Sequence, residues 1–122
     1  MPAPKILVVE DFERFRQFVV STLQQSARFW VTEASNGLEA LEKVEEQQPD
    51  LVLLDIGLPN LNGLEVARRL RRLAAPPKIV FLSQESSPEV VAEALNLGAL
   101  GYVHKRRAGR DLLPAIDAAL LS

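Results

Sequence analysis

Five short apolar runs of strand length alternate with longer segments of helical period, and this alternation constrains the fold more than any other feature of the chain. Strands are predicted at residues 5–10, 29–34, 50–54, 78–83 and 100–104. The first, third and fourth runs are almost continuously aliphatic or aromatic, which is typical of strands buried on both faces. Repeated β-α units of this kind close on a parallel sheet with helices on both sides. We therefore predict an α/β fold with a five-stranded parallel sheet flanked by five helices.

Apolar residues between the strands recur at helical spacing. Asn36-Gly37 opens the second predicted helix and Gln48-Pro49 ends it. The residues predicted to face inward from the first four helices are Phe15, Val19 and Leu23; Ala40, Leu41 and Val44; Ala67, Leu70 and Ala74; and Val91, Ala94 and Leu95.

Two further predictions concern helix starts. Ser86 and Glu89 have the spacing of a capping box, and Pro88 suits the first turn of the fourth helix. Pro114 lacks an N–H group, which is tolerated only near the start of a helix. The last helix is therefore predicted to begin at about Asp111.

Composition and charge exclude several classes of function. The 122 residues suffice for one domain with one core, and nearly half of them are apolar. The chain has no cysteine, which excludes disulfides and thiolate chemistry, and its formal net charge of −2 gives no general attraction to nucleic acid or anionic lipid. No apolar run reaches the roughly 18 residues of a membrane span, and residues 1–9 lack the features of a signal peptide. We expect a cytoplasmic domain.

Carboxylates stand at the ends of two predicted strands. Glu10 and Asp11 end the first apolar run, and Asp55 ends the third. Ligands of open parallel sheets bind outside the carboxyl ends of the strands, so these acids are expected to share one pocket. Converging carboxylates repel each other unless a hard cation binds or one of them is neutral. Mg²⁺ suits such a pocket because it prefers oxygen ligands and often shares a substrate phosphate.

Two more polar residues stand at strand ends on the same expected edge of the sheet. Ser83 ends the fourth predicted strand and Lys105 follows the fifth. A lysine can neutralise a phosphoryl oxygen as a mobile point charge, and a hydroxyl can donate a hydrogen bond to another. Together with the acids, these residues outline a phosphoryl-binding site.

These motifs resemble the receiver domain of bacterial two-component response regulators, from Lys5 to Leu121. The resemblance implies a flavodoxin-like fold with strand order 2-1-3-4-5, and it makes residues 1–122 a single receiver domain. The details are most like receivers that are joined to a helix-turn-helix output domain, which these residues do not contain. The matching stretches are Ile6-Leu7-Val8-Val9-Glu10-Asp11, Leu53-Leu54-Asp55-Ile56-Gly57-Leu58-Pro59, Asn62-Gly63, Leu82-Ser83, Gly98-Ala99-Leu100-Gly101-Tyr102 and Lys105.

The resemblance implies a role for each matching residue of the pocket. Asp55 would accept a phosphoryl group from a histidine kinase or a phosphotransfer protein and form an aspartyl phosphate. Mg²⁺ would be held by Glu10, Asp11, Asp55 and the backbone carbonyl of Gly57. Lys105 would screen charge during the transfer. The domain would then be a phosphoacceptor switch that assists its own phosphotransfer and dephosphorylation.

The resemblance also implies an output. Ser83 would hydrogen-bond the phosphoryl group, and Tyr102 would turn towards the space that the moving loop leaves. The surface of the fourth helix, fifth strand and fifth helix would change, and a homodimer could form through it. DNA would be bound only through an output domain outside this chain, and no membrane partner is expected.

Some residues depart from the family pattern and keep alternatives open. Gln84 stands where receivers usually have a small residue, which favours, as an alternative, an interaction module that works without phosphorylation. Arg106 follows Lys105 where many receivers have proline. A phosphatase of the haloacid-dehalogenase type would need a second aspartate at position 57, where this chain has glycine. The phosphatase is therefore the least favoured of the three hypotheses. The arginines at positions 68–72 are interpreted as a solvated helix face paired with Glu65 rather than a nucleic-acid site.

Overall fold

The computed structural model describes residues 2–84 and 87–122. Its strands form a parallel sheet in the order β2-β1-β3-β4-β5, as the resemblance implied. Each predicted strand is confirmed to within one residue at each end. The strands are β1 (Lys5–Val9), β2 (Trp30–Ala34), β3 (Leu51–Asp55), β4 (Lys78–Ser83) and β5 (Gly101–His104).

Within residues 2–84 and 87–122, five helices cover the two faces of this sheet. The helices are α1 (Glu13–Ser26), α2 (Gly37–Gln47), α3 (Gly63–Arg71), α4 (Pro88–Asn96) and α5 (Ala108–Leu120), and a 3₁₀ turn, Lys105–Arg107, precedes α5. Side chains of α1 and α5 pack on one face, and side chains of α2, α3 and α4 pack on the other. Successive residues of a strand point to opposite faces, so the central strands need apolar residues at every position.

The apolar runs of β1, β3 and β4 fill the centre of the molecule. In β1, Leu7 and Val9 belong to the core under α2 to α4, while Ile6 and Val8 belong to the core under α1 and α5. Each fully buried aliphatic side chain of this kind stabilises the fold by about 1.5–3 kcal/mol. This two-sided burial fixes the central strands and thereby the positions of their carboxyl ends.

The start of α2 follows the local signals in the sequence. The Asn36 side chain accepts a hydrogen bond from the Glu39 N–H at 2.8 Å, and the Glu39 carboxylate accepts one from the Ser35 N–H. The first bond satisfies one of the free donors at the helix start, and the second ties the Glu39 side chain to the residue before the cap. A glycine is required at position 37 because a Cβ there would lie 2.8 Å from the Leu61 carbonyl oxygen.

Two predicted helix faces were partly wrong. α3 ends at Arg71, so Ala74 lies beyond the helix and is exposed. In α4, Ala94 is buried as predicted, but Leu95 is 53% exposed, and the valine that packs against this core is Val90 rather than the predicted Val91. The α4 segment carries apolar residues on more than one side, so periodicity alone does not select the inner side.

The start of α4 is capped by Ser87, whose hydroxyl accepts a hydrogen bond from the Val90 N–H at 3.4 Å. The predicted capping residue, Ser86, lies outside the described residues. Pro88 occupies the first turn as predicted, where its missing N–H costs nothing. Gly98 follows the helix with φ of +87°, a conformation that favours glycine.

The predicted start of α5 at Asp111 was wrong, because the helix begins at Ala108 and Pro114 lies inside it. The 3₁₀ turn at Lys105–Arg107 leads directly into the helix, so the helix begins three residues earlier than predicted from the position of Pro114. Pro114 is exposed, so water can satisfy the backbone carbonyl that the proline leaves without a donor. The side chains of Leu112, Ile116 and Ala119 anchor the helix in the core.

Candidate functional site

The sheet brings the three predicted acids together at the carboxyl ends of β1 and β3. Glu10, Asp11 and Asp55 each offer a carboxylate oxygen, and these atoms all lie within 4.8 Å of one another. Glu10 and Asp55 are buried, whereas Asp11 is exposed. β1 and β3 are adjacent parallel strands, so their carboxyl ends meet at the same edge.

Lys105 completes the charged centre of the pocket. Its Nζ lies 2.6 Å from Glu10 Oε1 and 3.3 Å from Asp55 Oδ2. The residue follows β5 directly and begins the 3₁₀ turn, which directs its side chain across the end of the sheet. Only 13% of the side chain is exposed, so the ammonium group interacts with the two carboxylates in a partly desolvated setting where charge contacts are strong.

Glu10 is the most constrained acid of the site. Burial raises the pKa of its carboxyl to about 7, against the opposing effects of Lys105 and the Phe12 N–H, and the charge of Asp55 adds to the rise. Oε2 accepts a hydrogen bond from the Phe12 N–H at 3.0 Å. Oε1 has no hydrogen bond of regular geometry within the described ranges, so its 2.6 Å contact with Lys105 is an ion pair rather than a well-directed hydrogen bond.

This donor set fits a hard divalent cation. Three carboxylates face one ammonium group, so full ionisation would leave excess negative charge in a mostly buried pocket. The carboxylates of Glu10, Asp11 and Asp55 supply oxygen ligands of the kind that Mg²⁺ prefers. Buried charges of one sign are stable only when protonated or paired with a cation.

The backbone after β3 orients the Asp55 carboxylate. The Gly57 N–H donates to Asp55 Oδ1 at 3.0 Å, and Ile56 continues the strand pairing through its N–H to the Leu82 carbonyl at 3.0 Å. The Gly63 N–H in turn donates to the Ile56 carbonyl at 3.0 Å. One oxygen of Asp55 is thus held by the chain, while the other faces Lys105.

The acids line a cleft of about 690 Å³ together with the other predicted residues. Ser83 is buried at the end of β4, and Gln84 is exposed at the mouth. Tyr102 is not part of the lining; it is half-buried in β5 and packs against the core under α2 to α4. The Lys105–Arg106 peptide is trans. The lining residues are Glu10, Asp11, Phe12, Asp55, Ile56, Gly57, Ser83, Gln84 and Lys105.

Two side chains of α1 reach the site without having been predicted to do so. Arg16 donates from Nη1 to the Glu10 carbonyl at 2.8 Å and pairs through Nε with Glu33 on β2 at 2.9 Å. Phe15 lies under the ammonium group of Lys105, with 5.2 Å from Nζ to the ring centroid. The sequence signals this role only by the short distance along the chain from Glu10 and Asp11 to Phe15 and Arg16. The helical spacing predicted that Phe15 faces the core and did not indicate a contact with the site.

The arginine-rich segment of α3 forms intramolecular ion pairs. Arg68 and Arg69 both pair with Glu65 at 3.3 Å, as predicted, and Arg68 also pairs with Glu93 of α4. Arg71 donates to the Asn96 carbonyl at 2.9 Å.

Among the described residues, no helix is long and apolar enough to cross a membrane.

The sheet order and the acidic pocket at its carboxyl edge define a doubly wound, flavodoxin-like domain. The chain belongs to the response regulator receiver domain family, whose model matches residues 6–117. It is therefore a receiver domain of two-component signal transduction.

Individual relatives agree with this assignment. The nitrate/nitrite response regulator NarL of Escherichia coli is 37% identical over 115 residues, which are 93% of this chain and 53% of that protein. The positive alginate biosynthesis regulatory protein of Pseudomonas aeruginosa is 38% identical over 116 residues, which are 93% of this chain and 46% of that protein. The chain thus spans about half the length of the curated relatives that it matches.

Solved structures show the same fold. The signal receiver domain of a NarL response regulator from Mycobacterium tuberculosis matches with a TM-score of 0.93 and 29% identity, over 100% of this chain and 99% of that chain. The chemotaxis protein CheY4 of Vibrio cholerae matches with a TM-score of 0.89 and 31% identity, over 97% of this chain and 99% of that chain.

Proposed function

We propose that Asp55 is the phosphoacceptor of this receiver domain. Receiver domains are phosphoacceptor switches, and the observation that supports Asp55 here is its position at the end of β3, 3.3 Å from the Lys105 ammonium group. One carboxylate oxygen is held by the Gly57 N–H, which fixes the direction of the other. An oriented carboxylate beside a cation is suited to attack a phosphoryl group, because positioning and charge stabilisation provide most of the catalysis of phosphoryl transfer.

Receiver domains bind Mg²⁺ at an acidic cluster, and we assign that role here to Glu10, Asp11, Asp55 and the carbonyl of Gly57. A metal ion held by these residues would supply positive charge to offset the negative charge of the phosphoryl oxygens. Lys105 Nζ, already paired with both buried acids, would follow the new charge on Asp55 as the phosphoryl group arrives. Gly57 has no side chain to shield the site from water, so we also assign the domain a self-catalysed dephosphorylation.

The proposed switch begins at Ser83, which lines the cleft beside Asp55. A phosphoryl group carries about −1.5 to −2 charge and three strong acceptor oxygens, so it offers contacts that the free carboxylate lacks. Ser83 would donate to one of these oxygens and draw its loop inward, and Tyr102 would follow. Only such differential contacts can shift the balance between two conformations. The surface that changes would be formed by α4, β5 and α5.

The partners follow from the family and its curated members. Receiver domains interact with histidine kinases and phosphotransfer proteins, and we propose one of these as the phosphodonor. Several relatives are named as regulators or activators of transcription, so DNA would be reached through an output domain outside residues 1–122, which we propose form one receiver unit. A homodimer through α4, β5 and α5 is the proposed form of the activated state.

The intact mass of the protein after incubation with Mg²⁺ and acetyl phosphate tests this function. We expect one added phosphoryl group in the wild type and none in Asp55→Asn, which keeps the shape of the side chain but removes the nucleophile. Acetyl phosphate is a small molecule and does not test transfer from a protein. The same measurement is therefore repeated with a promiscuous histidine kinase as the phosphodonor. Addition to Asp55→Asn would contradict the assignment of the phosphoacceptor.

The second candidate function is a receiver-like interaction module that works without phosphorylation. The observation that favours it is Gln84, whose long side chain lies at the mouth of the cleft. No added phosphoryl group from either donor would support this candidate. Gln84→Ala separates the two cases, because uptake that appears only in this variant would show that the pocket is competent but obstructed.

A further inference from the structure

The ammonium group of Lys105 has an aromatic neighbour in addition to its two carboxylates. Nζ lies 5.2 Å from the centroid of the Phe15 ring, within the roughly 6 Å over which a cation is attracted to an aromatic face. We propose that Phe15 is a positioning residue for Lys105 and holds its ammonium group in the pocket while the charges around it change. This inference rests on the proposed function of Lys105.

The Phe15 ring is itself held in place. It is half-buried and packs against the core between the sheet and the α1 and α5 helices. The Phe18 ring lies one helical turn further, with 5.9 Å between the two centroids and an angle of 34°. A ring anchored on two sides offers a fixed surface, which a flexible aliphatic side chain would not.

Lys105 needs such a surface because its other neighbours do not keep a constant charge. Glu10 and Asp55 pair with Nζ at 2.6 and 3.3 Å, and a bound cation would compete with Lys105 for both carboxylates. A lysine carries its charge on a flexible four-carbon stem, so weaker pairing would free it to swing towards solvent. The attraction of the Phe15 ring arises from its quadrupole and is independent of those charges. It is also stronger here than on an exposed surface, because only 13% of the lysine side chain is exposed.

The test is a double-mutant cycle on the rate of phosphoryl uptake from acetyl phosphate. Phe15→Leu keeps apolar volume but removes the ring, and Phe15→Tyr keeps the ring. We expect Phe15→Leu to slow uptake by about 3- to 10-fold and Phe15→Tyr to stay within about 2-fold of the wild type. In a Lys105→Met background, Phe15→Leu should have no further effect. An equal loss in both backgrounds would show a packing role and overturn the proposal, as would no loss at all.

A spectroscopic readout separates failure of this inference from failure of the proposed function. In the wild type, the Lys105 ε-methylene protons should show an upfield ring-current shift by NMR, which is retained in Phe15→Tyr and lost in Phe15→Leu. If the wild type takes up no phosphoryl group, the proposed function fails while the contact is still tested by this shift. Random-coil shifts for these protons in the wild type would overturn the inference even where phosphorylation is normal.

Discussion

Gly63 is expected to be the least replaceable glycine of the chain, because the backbone of the proposed phosphoacceptor lies directly against it. A Cβ at this position would lie 2.2 Å from the Asp55 carbonyl oxygen and 2.8 Å from the Ile56 Cα. Ordinary contacts begin at 3.4 Å, so alanine would have to displace the backbone by about 1.2 Å. The obstructing atoms belong to the main chain at the end of a central strand, and a rotamer change cannot relieve the overlap.

The magnitude follows from this geometry. Overpacking costs typically about 1–3 kcal/mol, and a backbone obstruction belongs at the upper end, so we expect Gly63→Ala to lose about 3 kcal/mol of unfolding free energy. With a urea m value of about 1–3 kcal/mol/M, the midpoint would fall by about 1–3 M. A displacement near 1 Å at the reacting group can cost about 10²-fold in rate, so phosphoryl uptake at Asp55 should fall steeply even in the folded variant.

The assay is urea unfolding followed by far-ultraviolet circular dichroism, together with phosphoryl uptake by intact mass. Gly109→Ala is the matched control, because the nearest atom to its Cβ would be Phe18 Cζ at 3.9 Å, an ordinary contact. This control lies in α5, where alanine should raise stability by up to about 1 kcal/mol. If Gly63→Ala matched Gly109→Ala in both stability and uptake, the steric reasoning would be refuted.

Three further changes test the core, the metal site and a helix cap. Leu112→Ala empties a fully buried position and should cost about 2–5 kcal/mol by urea titration, while Leu121→Ala, at 88% exposure, should change stability by no more than about 0.5 kcal/mol. Asp11→Ala should abolish most Mg²⁺ affinity by isothermal titration calorimetry, and an unchanged dissociation constant would remove Asp11 from the ligand set. The Ser35 N–H lowers the pKa of Glu39, so its contribution is present above the unfolded pKa and is lost as pH falls through the folded pKa. The difference in stability between wild type and Glu39→Gln should therefore be below about 1 kcal/mol at pH 7 and shrink as the pH falls through the folded pKa, and a difference that stays constant during acidification would contradict this.

The sheet was predictable because two-sided burial leaves a strong local signal. The runs in β1, β3 and β4 are apolar at consecutive positions, which is typical of strands that are buried on both faces. The helices were less predictable, since a short helix with apolar residues on several sides can present more than one stripe. In α4 the sequence placed both Ala94 and Leu95 on the inner side, and the packed structure encloses Ala94 but leaves Leu95 exposed. The prediction that α5 begins near Asp111 relied on the local preference of proline for the first turn of a helix. The helix instead begins at Ala108, because the core contacts of Leu112 and Ile116 hold it in place on both sides of Pro114.

The same distinction decides which residues of the site could be found from sequence. The carboxyl ends of parallel strands lie at one edge of the sheet, so topology alone can bring polar residues at strand ends together. Asp55 and Lys105 line one cleft, as expected. A helix reaches that edge only through the angle and depth at which it docks, which the sequence does not specify. Phe15 contacts Lys105 because α1 and α5 pack on the same face of the sheet. A chain with the same strand ends but leucine at position 15 would carry identical motifs and yet hold its lysine in a different environment, so motif identity alone does not determine how the pocket responds to a change in charge.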